Sequence, residues 1–229
     1  MTAALQQYVG NCRVRAVRRY SMVEMTGLFF AFSVIGWLWE VGLHVVLDGE
    51  LVNRGTMLGP WLPIYGAGGV LAVLLLRRVA YSPALVLALG TGMCTAVEYA
   101  TGRYLLAVYG LRWWDYSMYP LNVDGLVSPL TSLVFGLGCC AAVYAAGPAL
   151  ADCISRLARR RAQVLCIALA VLFVLDFVWS AVHPNMGTGV TTPHGGMVVI
   201  DPAKLTELLH YLPWATPHRK VSVMQPDMI

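Results

Sequence analysis

The stretch GWLWEVGLHVVLDGELVNRGTMLGPWLPIYGAGG, residues 36–69, decides the fold of this chain. Its first part continues an apolar run that also carries Glu40 and His44. A short polar turn with Asn53 and Arg54 follows, and a second apolar run then opens with prolines and glycines. The pattern predicts two membrane-embedded segments joined by a polar turn, the second of which begins irregularly.

The composition of the whole chain supports a membrane location. Of its 229 residues, 58% are hydrophobic and only 12% are charged. A soluble domain needs more charge to cover its surface, so this composition predicts a polytopic membrane protein. The formal charge of +4 does not indicate a nucleic-acid partner. Because the sequence has no Walker A loop, the chain is not an ATPase of that type.

Five apolar runs are long enough to cross a bilayer, which requires about 20 mostly apolar residues. The sequence therefore predicts an all-α membrane bundle of about five transmembrane helices. In the second helix, two prolines and four glycines predict an irregular outer end that becomes helical only from about Gly69. Amides exposed there need partners, which Glu40, Asn53 and Arg54 can supply. The runs cover residues 23–47, 56–76, 83–109, 127–150 and 162–182.

The basic residues fall mostly at one end of the predicted helices. Ten arginines precede the first span, follow the second, or separate the fourth from the fifth, whereas the opposite loops hold only Arg54 and Arg112. The positive-inside rule therefore places the N-terminus in the cytoplasm. The predicted organisation is a basic cytoplasmic segment at 1–22, a transmembrane domain at 23–182, and a tail at 183–229 with an amphipathic helix near 201–212.

Four ionisable residues lie within the predicted spans: Glu40, Glu98, Arg103 and Asp176. A charge at mid-membrane costs at least about 2.5–3.5 kcal/mol, so these groups are expected to face one another or water. We expect Arg103 to reach Glu40 or Asp176 on another helix, because Glu98 lies about 140° away on its own helix. Two interpretations remain open: an ion-pair network that locks the bundle, or a polar cavity open to the outside.

The predicted external loop GLRWWDYSMYPLNVDG, residues 110–125, is the second unusual feature. Trp113, Trp114 and Tyr116 surround Asp115 in this loop. Aromatic residues are common at membrane interfaces, but that preference does not explain a carboxylate among them. The composition favours an amphipathic lid over the cavity mouth, and aromatic planes with carboxylates suit cationic or sugar-like ligands.

Other site chemistries find no support in the sequence. The six cysteines form no C-x-x-C pair, and none of the usual hydrolase, zinc-protease or dinucleotide motifs occurs. A metal site built from Glu40, Glu98 and Asp176 is disfavoured, because Arg103 at a similar depth would oppose a cation. No metal and no cofactor are expected.

Several blocks of the sequence resemble a known family. They are FSVIGWLWE at 32–40, NRGTMLGPWLPIYGAGG at 53–69, EY at 98–99 and RWWDYSMYPLNVDG at 112–125. In order and spacing they are similar to the bacterial membrane family called putative ABC-transporter type IV, or CmpB-like. The resemblance covers about residues 27–150 and implies a permease-type protein of the bacterial cytoplasmic membrane, with a separate ATPase subunit and no named substrate.

We therefore predict a transporter-permease-type protein with an outward-facing polar pocket in the outer half of the bilayer. Membrane lipid, the ATPase subunit and a second copy of the chain are its candidate partners. One alternative is a membrane-embedded enzyme acting on a lipid-linked substrate, with Glu40, Glu98 or Asp115 as acid or base. The other is a non-catalytic scaffold. The candidate pocket residues are Glu40, Asn53, Arg54, Tyr65, Glu98, Arg103, Trp113, Trp114, Asp115, Tyr116, Asn122 and Asp176.

Overall fold

A computed structural model of the protein describes residues 16–47 and 51–185. Within these residues the regular structure is helical and contains no strand, apart from an isolated bridge between Val123 and Val127. The predicted all-α fold class is therefore confirmed. The amphipathic helix predicted near 201–212 lies outside the described residues, as does most of the predicted N-terminal segment.

Helices make up most of the described residues. Two π-helical turns interrupt them, Ala72–Leu76 after the second helix and Ala142–Ala146 between the fourth and the fifth, and Arg77–Val79 forms a 3-10 turn. In chain order the α-helices are α1 Met22–Leu47, α2 Pro63–Leu71, α3 Pro83–Tyr109, α4 Pro129–Ala141, α5 Gly147–Arg156 and α6 Arg159–Val182.

Four helical segments are long and apolar enough to cross a membrane, by length and composition. The predicted second span, 56–76, is not among them, because residues 51–62 form no helix and α2 has only 9 residues before its π turn. The predicted irregular beginning is present, but the helix starts at Pro63 instead of Gly69. Proline is favoured in a first helical turn because it lacks an N–H that would have no partner there. The four segments are Met22–Val46, Pro83–Tyr109, Pro129–Arg156 and Arg159–Val182.

The two ends of the bundle differ in character. Arg77, Arg156 and Arg159 lie where α2 is followed by α3 and where α5 is followed by α6, and we call this the basic end. The irregular segment 51–62 and the loop 110–128 lie at the opposite end, which we call the loop end.

The bundle contains two close helix pairs, α1 with α2 and α3 with α4. Glycine permits both approaches. A Cβ atom on Gly66 of α2 would lie 2.7 Å from the carbonyl oxygen of Phe29 in α1. One on Gly136 of α4 would lie 3.2 Å from the carbonyl oxygen of Leu87 in α3. Small residues at helix contacts are typical of membrane bundles, where close backbone packing replaces the hydrophobic effect between helices.

The two pairs meet at the basic end. Leu76, Val86, Cys139 and Val143 form a buried apolar cluster there. The two π turns contact each other beside this cluster. Nearer the loop end, both pairs line the walls of one cavity. The packing therefore joins the pairs at one end and leaves room between them toward the other.

The last helix, α6, packs on the outside of α1. The ring of Phe173 lies 5.4 Å from that of Phe29 and 5.9 Å from those of Phe30 and Trp61, centroid to centroid. Most other apolar side chains of α6 are exposed. This distribution fits a helix whose remaining surface faces lipid.

Candidate functional site

A cavity of about 510 Å³ lies between the two helix pairs. Phe32, Trp39 and Tyr65 line it from α1 and α2, and Val97 and Phe135 line it from α3 and α4. Small-molecule sites usually measure about 300–1,000 Å³, so this volume suits a small ligand. The lining is mostly aliphatic, aromatic and glycine, which makes the cavity much less polar than the pocket predicted from the sequence.

Glu98 contributes the only carboxylate among the described residues that line the cavity. It lies within α3 and is 4% exposed. Tyr116 in the loop donates a hydrogen bond to its Oε1 atom at 2.9 Å. The Oε2 atom is buried and has no hydrogen-bond partner among the described residues. A buried carboxylate oxygen without a donor is costly, so it marks a place that a ligand donor fits.

A second carboxylate, that of Glu40, lies beside the cavity wall. Tyr65, which lines the cavity, donates to Glu40 Oε1 at 2.5 Å. The Nε atom of Arg54 lies 3.6 Å from Glu40 Oε2. Arg54 is 7% exposed, and it also donates to the carbonyl oxygen of Trp113 at 2.5 Å. Glu40 is within electrostatic range of Glu98, and of these two carboxylates only Glu40 faces a guanidinium from the part of the chain that the structure describes.

The Asp115 carboxylate makes its contacts within the loop 110–128. Its Oδ1 atom accepts from the backbone N–H of Ser117 at 2.9 Å and from the Ser117 hydroxyl at 2.5 Å. Arg112 lies 3.4 Å from the same oxygen. Burial alone would raise the pKa of Asp115, but these hydrogen bonds and the Arg112 charge lower it overall. Asp115 thus shapes the loop and does not line the cavity.

Asn122 and Trp114 stabilise the conformation of the same loop. The Asn122 amide donates to the carbonyl oxygens of Ser117 and Tyr119, at 3.1 and 2.8 Å. Trp114 Nε1 donates to the carbonyl oxygen of Leu126 at 2.9 Å. These bonds give a defined conformation to a segment without regular secondary structure, and they hold Tyr116 in reach of α3.

Tyr116 is the loop residue that contacts Glu98, which lines the cavity. Burial and the nearby Glu98 charge raise the pKa of its phenol, so the hydroxyl stays protonated and serves as the donor to Glu98. Trp113 makes a further link, because its Nε1 atom donates to the carbonyl oxygen of Asn185 at 3.3 Å. The loop therefore contacts α3 at Glu98, but none of its residues lines the cavity, so its role as a lid stays a prediction.

Asp176 lies at a separate place. It accepts from the backbone N–H groups of Leu58 at 3.1 Å and Gly59 at 2.8 Å, and from Trp61 Nε1 at 2.7 Å. The backbone N–H groups of Leu58 and Gly59 are therefore bound by a carboxylate from α6. Of the three partners expected from the sequence, Asn53 binds a backbone carbonyl of this segment. The role of Asp176 is structural, since Asp176 does not line the cavity.

Asn53 supports the turn before α2. Its Nδ2 atom donates to the carbonyl oxygen of Leu58 at 3.0 Å, and its Oδ1 atom accepts from Trp37 Nε1 at 2.7 Å. Its own carbonyl oxygen accepts from Asn185 Nδ2 at 2.8 Å. The residue fixes the loop end of α1 to the irregular segment.

Arg103 is not part of the carboxylate group around the cavity. Its side chain is 61% exposed, and Nη1 lies 3.9 Å from Asp124 Oδ2. The expected pairing of Arg103 with Glu40 or Asp176 is not found. The spacing of five residues between Glu98 and Arg103 turns the two side chains to different faces of α3.

The structure thus brings together part of the predicted set. Glu40, Arg54, Tyr65, Glu98 and Tyr116 gather at or next to the cavity, whereas Arg103 and Asp176 do not join them. The other candidates take the supporting contacts described above.

Sequence reasoning missed the apolar wall that α4 contributes. Val134, Phe135 and Gly138 recur there at helical spacing, which is a signal in the sequence, but the same spacing also occurs on faces that only meet lipid. No cluster of three or more His, Cys, Asp or Glu side chains suited to a metal occurs in residues 16–47 and 51–185.

Comparison with known proteins gives the family of the chain. No curated protein and no solved structure matches it. The sequence model of one family, described as putative ABC-transporter type IV, matches residues 27–181. This range contains the irregular segment, the loop 110–128 and every described residue that lines the cavity. The chain belongs to this family of membrane proteins of the transporter type.

Proposed function

We propose that the protein is a permease-type subunit whose cavity between the α1–α2 pair and the α3–α4 pair binds the transported ligand. The observation that carries the proposal is the cavity of about 510 Å³ that ends at the buried, half-satisfied carboxylate of Glu98. Membership of a transporter-type family supports it. Intramembrane carboxylates that face a cavity are typical of ligand or ion sites.

The arginine distribution supports an orientation for this permease. Arg77, Arg156 and Arg159 lie at the basic end, which the positive-inside rule assigns to the cytoplasm of a bacterial cell. The loop end, with Glu98 and the Tyr116 lid, then faces outward. In this orientation the chain crosses the membrane several times, and the ligand reaches the cavity from the outer half of the bilayer.

The family name also suggests a partner. An ABC-type permease needs an ATPase subunit, and this chain carries no Walker A loop of its own. The exposed arginines at the basic end form the surface on which such a subunit would dock. Co-purification of a nucleotide-binding subunit with the native protein, and its loss after charge reversal of Arg156 and Arg160, would support this partner. Purification without any such subunit at low salt would contradict it.

A cavity-filling variant tests the ligand site. Gly68 of α2 lines the cavity, and a Cβ atom placed there would meet no other atom within 4 Å. Gly68→Phe should therefore direct its ring into the cavity and occupy space that a ligand would use. Gly92→Phe is the matched control, because Gly92 on α3 has the same free space but is exposed and does not line the cavity.

The measurement is mass spectrometry of small molecules that co-purify with each variant in native lipid. We expect one or more species with the wild type and with Gly92→Phe, and their loss from Gly68→Phe. An identical set of bound molecules in all three proteins would contradict a ligand site in this cavity.

A further inference from the structure

We infer that the ligand of this cavity is an amphiphile with an apolar body and one protonated amine, and that Glu98 binds the amine. This inference rests on the proposed function, because it assigns a chemical class to the same site. It is drawn from the lining, from the unpaired oxygen of Glu98 and from the local balance of charge.

The lining determines the body of the ligand. Aromatic and aliphatic side chains, among them Phe32, Trp39, Val97 and Phe135, form most of the wall. Such a wall offers few hydrogen bonds to a polar molecule, which would lose its hydration on entry without replacement. An apolar body of small-molecule size loses nothing comparable and gains contact with the wall.

Glu98 determines the polar group. Its Oε1 atom is already held by Tyr116, whereas Oε2 is buried without a donor. A ligand N–H group that reaches Oε2 would complete the hydrogen bonding of the carboxylate. A ligand that presents only acceptors, such as a carboxylate or a phosphate, would instead face two negative oxygens.

The local charge favours a cation over a neutral donor. Glu40 faces the guanidinium of Arg54, but no basic side chain among the described residues lines the cavity. With Glu98 ionised, the site therefore carries an unbalanced negative charge in a poorly solvated place, where a single charge is expensive. A protonated amine would neutralise this charge. The aromatic faces of Trp39 and Tyr65 at the wall also suit a cation.

The test uses dansylcadaverine, a fluorescent apolar probe with one primary amine, and its N-acetyl derivative, which lacks the charge. Fluorescence rises when the dansyl group enters an apolar site, so both probes can be titrated into the purified protein in nanodiscs of zwitterionic lipid. We expect the wild type to bind the amine at least about tenfold more tightly than the acetylated probe, in line with the loss on removing a partner of a buried charge pair.

Two variants and one control test whether the preference for the amine comes from Glu98 and whether the probes bind in the cavity. Glu98→Gln keeps the shape of the side chain but removes its charge, and it should reduce the preference for the amine to about twofold or less. Asp124→Asn removes an exposed carboxylate that pairs with Tyr99 outside the cavity, and it should leave the preference unchanged. Gly68→Phe should abolish binding of both probes.

The outcomes separate this inference from the proposed function. If the wild type binds both probes equally well and Gly68→Phe abolishes both, the cavity is a ligand site but the amine assignment is wrong. A preference for the amine that persists in Glu98→Gln would also overturn the role of Glu98. Binding that survives Gly68→Phe would place the probes elsewhere, for example in the lipid, and would contradict the proposed site itself. The wild-type comparison decides the matter even if a variant does not fold.

Discussion

Gly66 offers the sharpest test of the helix packing. The substitution Gly66→Ala adds a Cβ atom that would lie 2.7 Å from the carbonyl oxygen of Phe29, and closer still to the hydroxyl of Ser33. A backbone carbonyl cannot move aside alone, so α1 and α2 must separate. Overpacking of this kind costs about 1–3 kcal/mol. The change from glycine also gains about 0.8–1 kcal/mol of helix propensity, which conceals part of the cost.

Gly68→Ala is the matched control, because it lies in the same helix and its Cβ atom would meet nothing within 4 Å. Both substitutions gain the same propensity, so the difference between them isolates the overpacking. At about 2–4 °C per kcal/mol for a chain of this size, Gly66→Ala should melt about 2–12 °C below Gly68→Ala.

The assay is thermal unfolding in detergent micelles, followed by intrinsic fluorescence or by loss of the monodisperse peak on size exclusion. Purification yields in the same detergent provide a second readout, since separated helices expose apolar surface. A Gly66→Ala protein that melts at or above the temperature of Gly68→Ala would refute the close contact between α1 and α2.

Three further predictions concern the polar groups. Arg54→Met should lower the melting temperature strongly, because breaking a buried ion pair costs about 3–5 kcal/mol. Arg103→Met should change the melting temperature little, because that side chain is exposed. Thermal unfolding of the two variants checks this contrast, and equal losses would contradict it. Asp176→Asn should destabilise the irregular segment by about 1–3 kcal/mol, because the NH2 of the new amide would face the N–H donors of Gly59 and Trp61. Faster proteolysis near residues 55–60 would report this loss, and an unchanged cleavage rate would argue against the contact. Asp115 has a pKa below its ordinary value of about 3.9, so its carboxylate stabilises the loop above that pH and the contribution is lost as the pH falls through the folded-state pKa. Cleavage of the loop by pepsin between about pH 5 and pH 2 should therefore rise in the wild type and change less in Asp115→Asn. Parallel profiles for the two proteins would show that Asp115 does not contribute.

Apolar length and terminal residues allowed much of the fold to be predicted. The third predicted span, 83–109, coincides with α3 because its ends are marked by the chain itself. Ser82 caps the first turn, Pro83 occupies the first helical position, and Gly110 ends the helix with a φ of 69°. Similar signals explain the start of α4, where Ser128 and Thr131 form a capping box and Pro129 lies in the first helical turn.

The arrangement of the charged residues was harder to predict from the sequence. Depth along a helix can be counted, but the direction of a side chain depends on how each helix is rotated about its axis in the bundle. Glu98 and Arg103 lie on the same helix, yet one is buried beside the cavity and the other is largely exposed. Asp176 binds backbone amides, and a backbone partner leaves no mark in the residue types.

The π turns could not be predicted, because Ala72–Leu76 and Ala142–Ala146 have the composition of ordinary helix. Wider turns of this kind recur at functional sites. Here they meet at the floor of the cavity, where Ala72, Ala142 and Ala146 belong to its lining. Toward the loop end, Glu98 is held by its hydrogen bond from Tyr116. If the cavity binds the amphiphile proposed above, the apolar tail of that ligand would therefore rest on the two π turns while its amine is held at Glu98.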